Sequence, residues 1–213
     1  MTTARIDGRR RRSGSWESSA LGGLEWVANP ALAGAAFLLL SLGVVTWLPA
    51  LAATAHVLYR WRSEGEQRSF VGVFEAFGEF WRKLWRHSLV STAVTAVLLV
   101  NLGFLAGQTS PFALGFLAVH LGIGAAMVLY HLGLAAIAGR SPAGELASWW
   151  RQALVLGFGG RRGLLLLAAT AVVVVVTLPL AVGPFLFGPT VPLLIALKLA
   201  DRTTPLPLGR DAR

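Results

Sequence analysis

HSLVSTAVTAVLLVNLGFLAGQTSPFALGFLAVHLGIGAAMVLYHLGLAAIAG, from His87 to Gly139, runs for 53 residues without an Asp, Glu, Lys or Arg. Only Gln108-Thr109-Ser110-Pro111, near its middle, reads as a turn. A membrane-crossing helix needs about 20 apolar residues, so the stretch is long enough for two spans joined by a tight connection. Two further tracts are free of charge, Trp26–Tyr59 with 34 residues and Gly163–Leu197 with 35. A helix in a soluble core must turn one face to water and is rarely apolar all round for so long. The reading is one membrane domain, all-α, in a polytopic transmembrane helical bundle.

Composition agrees. Of the 213 residues 55% are hydrophobic and 14% charged, against about 25% charged in a soluble domain. The net charge of +9 raises nucleic acid as a partner, but a basic footprint needs a motif and fold beside it. The Arg and Lys residues instead fall in the tail and in the connections between apolar tracts, where positive charge sets membrane orientation. Nucleic-acid binding is therefore not expected, and the lipid bilayer is the expected partner. The absence of cysteine removes disulfides, thiolate nucleophiles and Cys-ligated metals. Arg9-Arg10-Arg11-Arg12 resembles the start of an export signal, but the apolar run begins well downstream, so cleavage is not expected.

Residues 1–15 read as a disordered basic tail, residues 16–201 as the transmembrane domain and 202–213 as a C-terminal tail. Asn29-Pro30 predicts a helix start, with Asn as N-cap and Pro at the first helical position. The span Ala31–Trp47 would then end or kink at Pro49. Residues 50–62 form a short return leg, about 20 Å of helix against a core near 30 Å. The basic groups on both sides, Arg60 and Arg62 among them, call for an even number of crossings or a re-entrant segment. Crossing with a short return leg is the preferred alternative.

In Ser69–Arg86, Phe70, Phe74, Phe77, Trp81 and Leu84 repeat at three- and four-residue steps, with Trp85 beside them. Arg82, Lys83 and Arg86 share the other side with Glu75 and Glu79, and Glu79 with Lys83 is a favourable i,i+4 pair. Ser69 is the expected N-cap. Aromatics opposite mixed charge describe a helix lying in the membrane interface. A second such helix is expected over residues 142–157, opened by Ser141-Pro142. Pro179, Gly183-Pro184 and Pro189 then break the last tract, leaving a short leg over 189–200. The total is about six spans, two of them short or re-entrant, with two interfacial amphipathic helices. Val44-Val45-Thr46-Trp47-Leu48-Pro49 is echoed by Val175-Val176-Thr177-Leu178-Pro179, and broken helices at matched positions point to a central site.

The stretch from Asn29 to about Arg86 resembles the bacterial YesL-like family of polytopic membrane proteins. It does so through Asn29, Val44-Val45-Thr46, Pro49, the Ala-rich Ala50–Tyr59 leading into Arg60-Trp61-Arg62, and the Ser69-Phe70…Phe74…Phe77…Trp81-Arg82 helix. Gly43 stands where the family often has Pro, and Trp47-Leu48 follows the Thr. The resemblance implies a bacterial inner-membrane protein of undetermined activity, commonly encoded beside carbohydrate uptake systems, and brings no catalytic residues with it.

Within the spans, His120 and His131 project on nearly one face, about 16 Å apart along the axis, too far to share a metal. An intramembrane polar residue is a functional hypothesis, while hydrogen bonding between helices is the commoner role; His56 and Asn101 are read in the same way. Ala118, Gly122 and Ala126, and likewise Gly103 and Gly107, form small-residue rows that would let helices approach closely. Gly157-Phe158-Gly159-Gly160-Arg161-Arg162-Gly163 fails the dinucleotide-loop spacing at Arg162. All ten acidic residues lie outside the spans, which disfavours proton-coupled transport through buried carboxylates.

The expectation is thus a non-enzymatic protein of the bacterial inner membrane, multi-pass with both termini cytoplasmic, needing no cofactor or metal. It would be an accessory or regulatory component of carbohydrate uptake, with an ABC-type permease as partner. The alternative is a small-solute transporter or channel whose site lies at the Pro-broken helices. Thr46, Pro49, His56, His120, His131 and Pro184 are the candidate functional residues. Phe70, Phe74, Phe77, Trp81, Arg82, Lys83, Trp85 and Arg86 form the interfacial helix.

Overall fold

A computed structural model describes residues 10–180 and 183–203, with side chains over 23–180 and 183–202. Its helices are α1 (Arg10–Ser41), α2 (Trp47–Glu64), α3 (Ser69–Ala106), α4 (Pro111–Arg140), α5 (Leu146–Phe158), α6 (Arg161–Thr177), α7 (Gly183–Phe187) and α8 (Thr190–Thr203), with a 3-10 turn at Leu178–Leu180. Five stretches are long and apolar enough to cross a membrane: Gly23–Ser41, Ser69–Ala106, Pro111–Arg140, Arg161–Leu180 and Gly183–Arg202. This is an integral membrane protein built as a helical bundle. Helix α1 begins inside the stretch read as a tail, while residues 1–9 and 204–213 lie outside the described residues.

The α3–α4 hairpin is the frame. Pro111 opens α4, with the Ser110 hydroxyl accepting from the Ala113 N–H at 3.2 Å, satisfying one of the first-turn donors that have no partner within the helix. The two helices run antiparallel, in a register marked by Asn101 beside His120 and by Ser91 beside His131.

Against this frame α1 and α2 form a shorter hairpin. Its turn, at Leu42–Thr46, lies beside the middle of α3: the Ser88 hydroxyl donates to the Val45 carbonyl, and the Trp47 indole donates to Thr92 Oγ1 at 2.9 Å. From Thr92, α3 continues for 14 residues, about 21 Å of further helix. The α1–α2 turn thus stops short of the far end of the α3–α4 hairpin, and the return leg 50–62 lies within α2, an 18-residue helix about 27 Å long. Leu48, Ala50, Ala52, Ala53, Ala55 and Leu58 on α2 are all fully buried. Protein therefore surrounds most of this helix, which leaves little of its backbone to face lipid.

Two expected breaks are placed differently. Pro49 is the third residue of α2, where a missing N–H costs nothing, so the chain turns before it and Pro49 starts a helix rather than ending one. Pro30 lies inside α1, and Asn29 is not an N-cap. Its Nδ2 donates to the Glu25 carbonyl at 3.2 Å, and its Oδ1 accepts from the Ser69 hydroxyl. Trp26 packs edge-on against Trp61 with ring centroids 4.9 Å apart. Tertiary contacts on both sides of the proline carry the helix across the lost hydrogen bond.

The aromatic segment 69–86 is the first half of α3, not a separate interfacial helix. Thirty-eight residues make about 57 Å of helix against a core near 30 Å, so α3 outreaches the core. Ser69 is the first residue of α3, and the N-cap is Arg68, which makes no side-chain cap hydrogen bond. The core-facing row is Val73, Phe80 and Leu84, each at 0% exposure. Phe74 and Trp85 point outward at 40% exposure, with Phe70, Phe77 and Trp81 half-buried. The second expected interfacial helix starts later, at Leu146, after a turn at Ser141–Gly144. Its Trp149 is fully buried and donates from the indole to the Ser141 carbonyl at 3.1 Å, while Trp150, Leu154, Val155 and Phe158 face outward.

Close helix approach does not occur at the expected small-residue rows. A Cβ built on Gly103 or Gly122 would meet nothing within 4 Å. The approaches lie lower in the bundle, where a Cβ on Gly139 would come within 2.6 Å of the His56 backbone nitrogen and 2.8 Å of Ala55 Cβ. On Gly133 it would lie 3.0 Å from the Ala153 carbonyl oxygen. These glycines allow α4 to seat α2 on one side and α5 on the other.

Candidate functional site: a polar seam beneath an apolar cavity

The α1–α2 turn, the middle of α3 and the second half of α4 meet at a seam of polar side chains. His131 has one hydrogen-bond partner within reach of each ring nitrogen. Its Nδ1–H donates to the Met127 carbonyl at 2.7 Å, which leaves Nε2 to accept from the Ser91 hydroxyl at 3.0 Å. Trp47 lies edge-on to the same ring at 4.8 Å between centroids. One turn below, Tyr130 Oη and His87 Nε2 are hydrogen-bonded at 3.2 Å, and the His87 and His131 rings are 6.1 Å apart. No group of three or more potential metal ligands occurs among the described residues.

The candidate residues are not gathered at one place. His131 and Trp47 belong to the seam. Thr46 closes the α1–α2 turn, its hydroxyl donating to the Leu40 carbonyl. His120 lies further along α4, with Nδ1 on the Phe116 carbonyl at 2.8 Å and Nε2 3.5 Å from Asn101 Nδ2. His56 is in the middle of α2 and donates from Nδ1 to the Gly139 carbonyl at 2.8 Å. That carbonyl lies in the last turn of α4, where no helix N–H remains to fill it. Pro184 is in α7, its carbonyl accepting from the Gly188 N–H at 3.0 Å.

Sequence reading missed His87, Ser88, Ser91, Thr92 and Tyr130. The available signal was the recurrence of Ser88, Ser91, Thr92 and Thr95 at three- and four-residue steps within an otherwise apolar run. It is weak, because Ser and Thr in a helix satisfy themselves on their own backbone, as Thr95 does on the Ser91 carbonyl.

Above the seam is a cavity of about 650 Å³, walled by Phe37, Val44, Trp47, Leu99, Met127, His131 and Pro189 among others. It brings together the turn of the α1–α2 hairpin and the break before α8, the two Pro-broken regions. Val44, on its rim, holds φ at +57°, a left-handed conformation that is an outlier for a β-branched residue.

A second concavity, about 220 Å³, lies at the charged end of the bundle. His56, Arg60, Glu66, Arg68, Glu75 and Glu79 line it, with Arg60 and Glu66 paired at 2.8 Å and Arg68 and Glu75 at 3.4 Å. At the same end, Asp201 of α8 is shared by Arg62 of α2 and Arg140 of α4. Lys83 reaches Glu79 at 3.2 Å and the Pro142 carbonyl.

No family model, curated protein or solved structure matches this chain.

Proposed function

We propose that the protein is a non-enzymatic accessory component of the bacterial inner membrane, seated with its Arg-rich end in the cytoplasm. It acts by docking on a permease of the carbohydrate ABC type. The observation that supports docking is the division of α3 into two rows. Val73, Phe80 and Leu84 fill the core, while Phe74 and Trp85 stay 40% exposed beside the exposed Arg82 and Arg86, with ring contacts to Phe70 and Arg86 of their own helix. Aromatic and Arg side chains are the types that anchor interfaces. The link to carbohydrate uptake rests on the resemblance of Asn29–Arg86 to the YesL-like family. A non-enzymatic role is consistent with the state of His131, whose ring nitrogens are taken by a carbonyl and a hydroxyl, with no carboxylate to orient the ring as a base.

The test is affinity purification in mild detergent from cells grown on different sugars. A carbohydrate permease that co-purifies with the natural chain and is lost from Phe74→Ser/Trp85→Ser supports the proposal. Retention of lipid alone, or of nothing, counts against it.

A second reading, movement of a small solute through the bundle, is favoured by the cavity at the two Pro-broken regions. Its walls are almost wholly apolar, which suits a hydrocarbon better than a sugar. Uptake into vesicles containing only this protein would establish that reading.

A further inference from the structure

The cavity above the seam calls for an occupant of its own, independently of the docking role. Among the described residues, none with a charged side chain lines its walls. The polar groups that do reach it are already engaged. The Trp47 indole N–H is held by Thr92, and both His131 nitrogens are bonded. The Thr95 and Thr170 hydroxyls donate to the carbonyls of Ser91 and Leu166, at 2.8 Å and 2.7 Å. A polar solute entering here would lose its water and find little to replace it, the Thr92 hydroxyl, which accepts from Trp47, keeping one hydrogen to offer. Water itself needs two to four polar partners to occupy a cavity and does not collect in an apolar one. A dry void of this size would deprive its walls of contacts on one side.

The rim decides what fills it. Val44 and Leu99 are each 62% exposed and Val128 is 43% exposed, and Leu99 and Val128 belong to helices able to cross a membrane. The cavity therefore opens sideways, into the layer where acyl chains lie. Its volume is within the roughly 300–1,000 Å³ of small-molecule sites.

The geometry points to this cavity as a binding site for one long alkyl chain, that of a membrane phospholipid or of a free fatty acid. The chain enters past Val44 and Leu99 and ends against Trp47 and His131.

Photolabelling tests this. The full-length protein is reconstituted into phosphatidylglycerol vesicles in which a fraction of the lipid carries a diazirine at the end of one acyl chain. A parallel sample receives a diazirine fatty acid instead, and cross-linked residues are mapped by mass spectrometry. The expected result is label on Trp47, Met127 and Leu132 inside the cavity, in addition to Val97 and Val119 on the outer surface. Label from the phospholipid alone identifies a bilayer lipid, and label from the fatty acid identifies a free chain; either supports the site. Gly124 faces the cavity with ordinary contact to Leu98 at 3.5 Å, so Gly124→Phe places a ring in the space. Interior label should then fall about tenfold with outer label unchanged. Ala96→Leu, smaller and nearer the rim, serves if Gly124→Phe does not fold. Label confined to the outer surface of the natural chain overturns the inference. So does interior label that a folded cavity-filling variant leaves unchanged.

Discussion

The Ser69 hydroxyl donates to Oδ1 of Asn29 across 2.7 Å, and the two side chains, 1% and 5% exposed, tie the start of α3 to α1 beside Pro30. Removing either partner leaves the other buried and unsatisfied, at a cost of about 1–3 kcal/mol. Asn29→Ala and Ser69→Ala should each lower the thermal unfolding midpoint in detergent. The double variant should lose less than the sum of the two, since it strands neither group. Strict additivity would show that the bond contributes nothing.

Gly139 and Gly122 separate two kinds of glycine on one helix. A Cβ on Gly139 meets α2 backbone at 2.6 Å, and one on Gly122 meets nothing. Gly139→Ala should therefore destabilise by about 1–3 kcal/mol through overpacking. Gly122→Ala should be neutral or stabilising by a few tenths, because alanine is the better helix former, by about 1 kcal/mol at most. The yield of monodisperse protein and its melting temperature check the pair.

The turn that ends α1 holds Val44 at a positive φ, a conformation that costs a residue with a branched Cβ about 1–3 kcal/mol. Val44→Gly should relieve that strain and raise the melting temperature, less the entropy that glycine adds to the unfolded chain. A fall in stability would mean that side-chain contacts at the cavity rim outweigh the backbone term.

Phe80 and Phe74 lie six residues apart on α3 and differ in role. Phe80 is fully buried, against His56 and Trp149, and Phe80→Ala should cost about 3–5 kcal/mol. Phe74→Ala should leave the melting temperature within about 0.5 kcal/mol of its starting value while weakening whatever docks there. Equal effects on stability would place both rings in the core.

Much of the architecture is legible in the sequence because solvent dictates it. The tracts around His87–Gly139 admit few arrangements other than helices in lipid, and Ser110-Pro111 marks a helix start with its own chemistry. What the sequence leaves open depends on neighbours. Residues 69–86 carry two apolar rows, Phe70–Phe74–Phe77–Trp81 and Val73–Phe80–Leu84, and periodicity alone cannot say which one meets the bundle. The larger aromatics are the natural choice for the core, yet α2 seats the smaller row, with Gly72 against Val57 at its edge. Asn29-Pro30 reads as a helix start by every local rule, and only Ser69 and Trp61, far along the chain, let the helix continue. The seam at His131 was half visible: the histidine stands out in an apolar span, while the Ser and Thr that meet it do not.

Arg62 and Asp201, whose side chains meet at the charged end, are 139 positions apart in the chain. On the ribosome, the alanine-rich helix emerges long before the segments that will surround it. Until the last helix arrives, that leg lacks part of the protein wall it is buried against. Biogenesis of this protein therefore includes an interval in which an unfinished hairpin must be sheltered, by the insertion machinery or by its own first helix. Truncation ahead of residue 190 should leave a chain that inserts but is cleared by membrane proteases.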